Sequence, residues 1–189
     1  MDNERDPHDS YETPDVAVHQ LLSNVALTGG ICDPSCGRGK IIMALLDAMI
    51  PADKLMGSDK HRYDLPPRQG ALGDVGLQWG HDFLDWQYMD ARKPNLIMNP
   101  PYSQADEHVR HGLSILQRPG QMCVLLRHTW MCAQKRADLL KHLAKIVMVG
   151  RLKMLPMGVP DQGHSGTVDF SWFVFAPYVV GSTEIVRAR

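Results

Sequence analysis

Three short apolar runs and a fourth expected strand in this chain each lead into an acid or an amide, and that repetition constrains the fold more than any other feature. Ile31-Cys32 leads into Asp33, and Leu55-Met56-Gly57-Ser58 into Asp59. A stretch between Trp79 and Trp86 leads to His81-Asp82, and Leu96-Ile97-Met98 to Asn99. Runs this short and apolar read as buried strands. Between them lie helical patterns. Val16, Leu21, Leu22, Val25 and Ala26 follow a start signal in which Thr13 is the N-cap and Pro14 the first helical position. Ile41–Leu46 follows Lys40 and stops before Pro51, and a third helix is expected from Gln104 to Leu116. Further strands are expected at 122–126, 146–149 and 168–175, a helix at 134–144 and an edge strand within 182–187. Strands alternating with helices imply a mostly parallel sheet covered on both faces, a three-layer α/β sandwich. The 189 residues are read as a single domain, 1–189, with a polar, flexible 1–10. Ligands of such sheets bind beyond the carboxyl ends of the strands, where these four polar residues stand.

Each strand end suggests a chemistry. Asn99-Pro100-Pro101-Tyr102 is a stiff, extended exit, because proline fixes its own φ and keeps the residue before it out of the helical region. The Asn99 side-chain oxygen and the Pro100 carbonyl can each accept one N–H of a planar amine such as that of adenine. Tyr102 can stack on the ring that carries it. A structural Pro-Pro turn beside an exposed tyrosine is the plain alternative. Asp33-Pro34-x-Cys36-Gly37-x-Gly39 matches neither the P-loop nor the dinucleotide fingerprint. Its glycines admit a ligand close to the backbone, while Asp33 repels pyrophosphate and suits an ammonium or sulfonium. Asp59 can take ribose hydroxyls. Asp82 can accept from an adenine amine, with Phe83 beside the ring. Each acid alone is explained by a cap or a surface position; their shared placement behind strands makes a site.

Composition narrows the class. The 44% hydrophobic and 22% charged content is that of a globular protein. No apolar run approaches the ~20 residues that span a bilayer, and the polar N-terminus is unlike a signal peptide. A cytoplasmic location without a membrane partner is expected. Cys32, Cys36, Cys123 and Cys132 lack zinc-knuckle spacing, so reduced thiols and no metal are expected. Most of the nine histidines read as surface residues. Net charge is -1, yet residues 127–153 hold seven bases against Asp138. That segment is either a phosphate-facing surface or a solvated helix face.

On these residues the chain resembles S-adenosylmethionine-dependent amino-methyltransferases of the adenine-N6 type, and in layout the small stand-alone enzymes of bacteriophage and bacteria. Tyr11-x-Thr13-Pro14 is similar to the family's N-terminal cofactor motif, Asp33–Gly39 to its glycine loop and Asn99–Tyr102 to its catalytic motif, over about residues 11–175. The resemblance implies a Rossmann-like class I methyltransferase fold, with a seven-stranded sheet and one reversed strand at Phe170–Phe175. It implies S-adenosyl-L-methionine held by Tyr11, Thr13, Pro14, Asp33, Pro34, Cys36, Gly37, Gly39, Asp59, Asp82, Phe83 and Asn99. Asn99, Pro100, Pro101 and Tyr102 would be the catalytic loop, acting on an adenine of DNA, duplex or single-stranded, flipped onto Tyr102. The family's DNA enzymes often carry a target-recognition domain, for which there is no room here. Loops 60–76 and 150–167, with His61, Arg62, Arg68, Arg151, Lys153, Gln162 and His164, or a homodimer partner, would take that part. RNA adenine methyltransferases and protein glutamine methyltransferases carry the same tetrapeptide, and cytosine-N4 offers the same amine geometry. A non-catalytic nucleic-acid-binding relic of the fold is the reading from another class.

Overall fold

The central sheet changes direction of growth at its middle, and that reversal opens the crevice on which everything else depends. The structure, a computed structural model, describes residues 11–64, 72, 74–156, 159, 166–178 and 181–188. Residues 1–10, expected to be flexible, therefore lie outside the described residues. The chain runs through β1 (Tyr11–Glu12), α1 (Asp15–Leu22), β2 (Ile31–Asp33), α2 (Lys40–Asp47), β3 (Leu55–Asp59), β4 (Gly76–Trp79) and β5 (Asn95–Met98). It continues with α3 (Ala105–Ile115), β6 (Met122–Arg127), α4 (Ala137–Leu140), β7 (Leu143–Leu152), β8 (Leu155–Pro156), β9 (Val168–Phe175) and β10 (Glu184–Arg187). Strand order is β10-β7-β9-β6-β5-β2-β3-β4. From β2 the chain builds outward through β3 and β4, then returns to place β5 on the other side of β2. Every neighbouring pair is parallel except those of β9, which runs antiparallel between β6 and β7. The expected mostly parallel α/β sheet with one reversed strand is present. Segment 184–187 adds an eighth strand beside β7.

Apolar runs form these strands because both faces are covered. Along β5 and β6, Leu96, Met98, Met122, Val124 and Leu126 pack with Val109 and Ile115 of α3. The alternate residues Ile97, Cys123 and Leu125 pack with Ala17, Val18 and Leu21 of α1 and Ile42 and Leu45 of α2. Trp172, fully buried in β9, donates its indole N–H to the Ala17 carbonyl at 2.7 Å and so fixes α1 to the sheet.

Three local expectations are corrected. Pro14 rather than Thr13 caps α1: it stays extended at ψ 138° and its carbonyl accepts the Ala17 N–H at 2.9 Å. Pairing of Tyr11 with Pro156 and Glu12 with Leu155 keeps the preceding chain extended. The strand before Asp82 ends three residues early, at Trp79, because Gly80 turns the chain at φ 80°. The helix expected over 134–144 shrinks to a 3-10 turn and the four residues of α4. Leu143 is instead buried in β7, opposite Phe175.

Asn95 closes the amino rim. It is 1% exposed; Nδ2 donates to the carbonyls of Thr28 (2.7 Å) and Gly30 (3.1 Å), and Oδ1 accepts the Gln121 N–H (3.1 Å). Asn95→Ala removes all three bonds, leaving the Gly30 carbonyl only the Asn95 backbone N–H (3.3 Å), at a cost of about 2–3 kcal/mol. Urea unfolding should show that loss; a loss below about 0.5 kcal/mol would mean that water replaces the amide.

Candidate functional site

Beyond the carboxyl ends of β2, β3 and β5 lies a cleft of about 270 Å³. Ten of the residues expected to hold the cofactor or to act in catalysis line it: Tyr11, Thr13, Asp33, Pro34, Cys36, Asp59, Asp82, Phe83, Asn99 and Pro101. Five polypeptide segments apart in sequence thus converge at the switch point of the sheet, where the topology leaves a crevice.

The acids are held differently. Asp33, 1% exposed, accepts the Ser35 N–H on Oδ1 at 3.1 Å, while its Oδ2 is buried with no hydrogen-bond partner among the described residues. Burial pushes its pKa well above the ordinary carboxylate value, against the lowering effect of the Ser35 N–H. Asp59 accepts the Gly37 N–H on Oδ2 at 2.8 Å and the His61 N–H on Oδ1 at 2.9 Å. Burial raises its pKa as well, and each oxygen keeps capacity for a further donor. Gly37 and Gly39 stand at φ 50° and 77°, so the turn between β2 and α2 needs their freedom. Asp82 heads the 3-10 turn Phe83–Asp85, accepting the Leu84 N–H at 3.0 Å. Its Oδ2 pairs with Lys60 at 2.7 Å, and the Lys60 hydrogen bond lowers its pKa. Burial pushes the Cys36 thiol far up, so it remains a thiol.

The β5 exit has the geometry of an oriented amide. Asn99 Nδ2 donates to the Tyr11 carbonyl at 3.0 Å, and Asn99 Oδ1 is buried with no hydrogen-bond partner among the described residues. Pro100 is buried behind it. Tyr102 lies to the side, packed against the cluster of α1 and α2. The Tyr11 ring stacks on it (5.4 Å between centroids, 20° between planes), Phe170 stands 6.1 Å away, and the Arg127 guanidinium lies 5.6 Å over it. The surface expected to receive a base is occupied by Tyr11.

Other expected residues fall elsewhere. Pro14 caps α1, and Gly37 and Gly39 shape the turn from behind. His61 lines the cleft rather than an outer loop. Arg62 and Arg151 are exposed, with Arg151 3.9 Å from Asp169, and Lys153 is half-buried; none lines the cleft. Arg68, Gln162 and His164 lie outside the described residues. The sequence reading missed Glu12, which pairs with Arg38 (3.2 Å) and Lys40 (3.7 Å) at the cleft wall. It also missed His108, which is buried, not a surface residue. His108 Nδ1 donates to the Gln104 carbonyl at 2.9 Å, and burial lowers its pKa, so Nε2 is an acceptor at neutral pH. Its place on α3 carried no sequence signal; only the return of β5 beside β2 brings it to Phe83, at 5.5 Å.

No protein-family model matches the chain, and no curated relative does. Solved structures match it over most of its length at low identity. A type I restriction-modification methyltransferase subunit of Streptococcus thermophilus matches at TM-score 0.62 and 12% identity, over 94% of this chain and 47% of its own. A proposed RNA methyltransferase of Pyrococcus horikoshii matches at TM-score 0.61 and 14% identity, over 89% and 87%. A proposed class I S-adenosylmethionine-dependent methyltransferase of Listeria monocytogenes matches at TM-score 0.58 and 15% identity, over 94% and 65%. The fold is that of the class I methyltransferases. The chain spans less than two thirds of the Listeria protein and about half of the restriction subunit. A proposed hemolysin of Lactococcus lactis shares the fold too, so activity must be argued from the site.

The buried acids oppose folding at neutral pH. A carboxyl whose folded pKa is raised contributes fully below the unfolded pKa, near 4, and that contribution is lost as pH rises through the folded value. Asp33→Asn should therefore stabilise the ligand-free protein at pH 7–8, with the gain fading as pH falls toward 4. Melting curves read it as about 2–4 °C per kcal/mol. An equal gain at all pH values would remove ionisation as the cause.

Proposed function

We propose that this chain transfers a methyl group from S-adenosylmethionine to the exocyclic N6 amine of adenine in DNA. The Asn99 carboxamide carries the reading. One Nδ2 hydrogen goes to Tyr11 while Oδ1 is left without a partner among the described residues, so the unmet end of the amide is its acceptor, and such a group selects an N–H donor.

The cleft fits the cofactor. The unpartnered Asp33 Oδ2 suits its ammonium, Asp59 has capacity left for ribose hydroxyls, and Phe83, Asp82 and the neutral His108 form an end for its adenine. When bound, S-adenosylmethionine supplies a methyl already activated on a sulfonium, so the chain's task is positioning. Asn99 Oδ1 and the Pro100 carbonyl accept the two amine hydrogens and favour a pyramidal nitrogen whose lone pair faces the methyl. Positive charge grows on that nitrogen in the transition state and strengthens both bonds. The surplus proton passes to water. Tyr11 already demonstrates that a planar ring lies parallel on Tyr102. A flipped base takes that place as the Tyr11 side chain turns aside, while its carbonyl stays on Asn99.

Labelled S-adenosylmethionine offered with duplex DNA, single-stranded DNA and total RNA tests the reading. Wild-type protein should give labelled N6-methyladenine from DNA, and Asn99→Ala should lose about 10²-fold or more in kcat, as when one oriented transition-state hydrogen bond is removed. Label in RNA alone would replace DNA by RNA as substrate. Absence of cofactor binding by calorimetry would overturn the proposal.

A further inference from the structure

A second cavity, of about 280 Å³, opens beside the first and is lined by Tyr102, Ser103, Leu126, Arg127, Thr129 and Arg136, among others. Ser103 lines both cavities, so they meet across the loop that begins at Asn99. The two differ in charge. The cofactor cleft holds Glu12, Asp33, Asp59 and Asp82 beside Arg38, Lys40 and Lys60, whereas the described residues around the second include Arg127 and Arg136 and no acid.

Most of the basic segment 127–153 is already engaged. Lys135 and Arg136 share Asp106 (both 2.7 Å), Lys145 reaches Glu184 (2.9 Å) and Arg151 stands near Asp169 (3.9 Å). Asp106 also accepts the Trp130 indole N–H at 2.8 Å, so it fastens the stretch after β6 to α3 and fixes the cavity wall. Arg127 ends β6 at the carboxyl rim, is exposed, and pairs with no described acid. Two cations on one acid leave a surplus charge, and Arg127 adds another. With the cofactor filling the first cavity, an acceptor presenting its amine to Asn99 has the second as its way out.

We propose that this second cavity is a phosphate site: Arg127, with the Ser103 and Thr129 hydroxyls, grips a backbone phosphate of the acceptor DNA strand beside the target nucleotide. The inference rests on the DNA reading above and deepens it. A guanidinium fork matches two phosphate oxygens, and lying over the Tyr102 ring keeps it close to the stacked base. Arg127 is thus a positioning residue for the substrate, with no contact to the reacting atoms.

The test is binding of a labelled single-stranded oligodeoxyadenylate across a salt series, for wild type, Arg127→Ala and Arg127→Lys, each with saturating S-adenosylhomocysteine. One phosphate contact on a single strand contributes about 0.7 to the slope of log K against log salt. Arg127→Ala should lose about that much slope and bind more weakly at low salt, Arg127→Lys should keep the slope, and S-adenosylhomocysteine affinity should be equal in all three. An oligomer with neutral methylphosphonate linkages should abolish the difference between wild type and Arg127→Ala. An unchanged slope in Arg127→Ala, with wild type still methylating DNA, overturns the phosphate site and leaves the DNA reading standing. Wild type that binds S-adenosylhomocysteine but neither oligodeoxyadenylate nor oligoriboadenylate overturns both. The same loss of slope on oligoriboadenylate alone keeps the contact and assigns the phosphate to RNA.

Discussion

One hydrogen bond, from Asn99 Nδ2 to the Tyr11 carbonyl, fixes which way round the Asn99 amide stands. An amide is symmetrical in shape and opposite in polarity at its two ends, so an untethered asparagine would serve donors and acceptors alike. The Tyr11 carbonyl takes the donor end, and the acceptor end is left buried. Asn95, four residues earlier at the start of β5, is the contrast: its amide nitrogen and its oxygen both bond the backbone of its neighbours. One amide at the amino rim is spent on holding strands together, and the other at the carboxyl rim keeps an unmet need. Buried polar atoms are nearly always satisfied, which is why an exception at the mouth of a cleft points to a ligand.

The carboxylates follow the same logic. Asp33 and Asp59 are buried where desolvation raises both their pKa values, and the backbone amides of Ser35, Gly37 and His61 offset only part of that. A chain selected for stability alone would place neutral groups there. Strain of this kind at the rim of a sheet is common where a cationic ligand supplies the missing compensation. The second cavity has arginines and no acid among its described lining, so the Asn99–Tyr102 loop stands between a space that holds buried acids and one that holds none.

The sheet and most of the cleft were legible because they rest on local signals. Buried strands between helices announce themselves by composition, and Asp33, Asp59 and Asn99 follow directly from where those strands stop. What was not legible depends on pairings remote in sequence. Tyr11 stacks on Tyr102 because β1 pairs with β8, and no local pattern predicts a two-residue pairing across more than a hundred residues. His108 reaches the cleft through the crossing of α3 beside Phe83. Asp82 was placed at a strand end, but Gly80 had already turned the chain, so the acid caps a 3-10 turn. The basic stretch looked like a single feature; the fold engages Lys135, Arg136, Lys145 and Arg151 with acids and sets Arg127 at the rim over Tyr102, paired with no described acid.

The insertion of β9 between β6 and β7 has a consequence for when this molecule becomes itself. Its neighbours are made first and must remain apart, with unpaired backbone edges, until Val168–Phe175 arrives to join them. The same strand brings Phe170 to Tyr102 and Trp172 to α1, so the aromatic group at the site and the anchoring of the first helix are completed by a strand that follows both of its sheet neighbours in the chain. A nascent chain halted before that point exposes sheet edges and has no finished site. Completion of the aromatic group around Tyr102 therefore arrives together with protection from edge-to-edge association, in a single step.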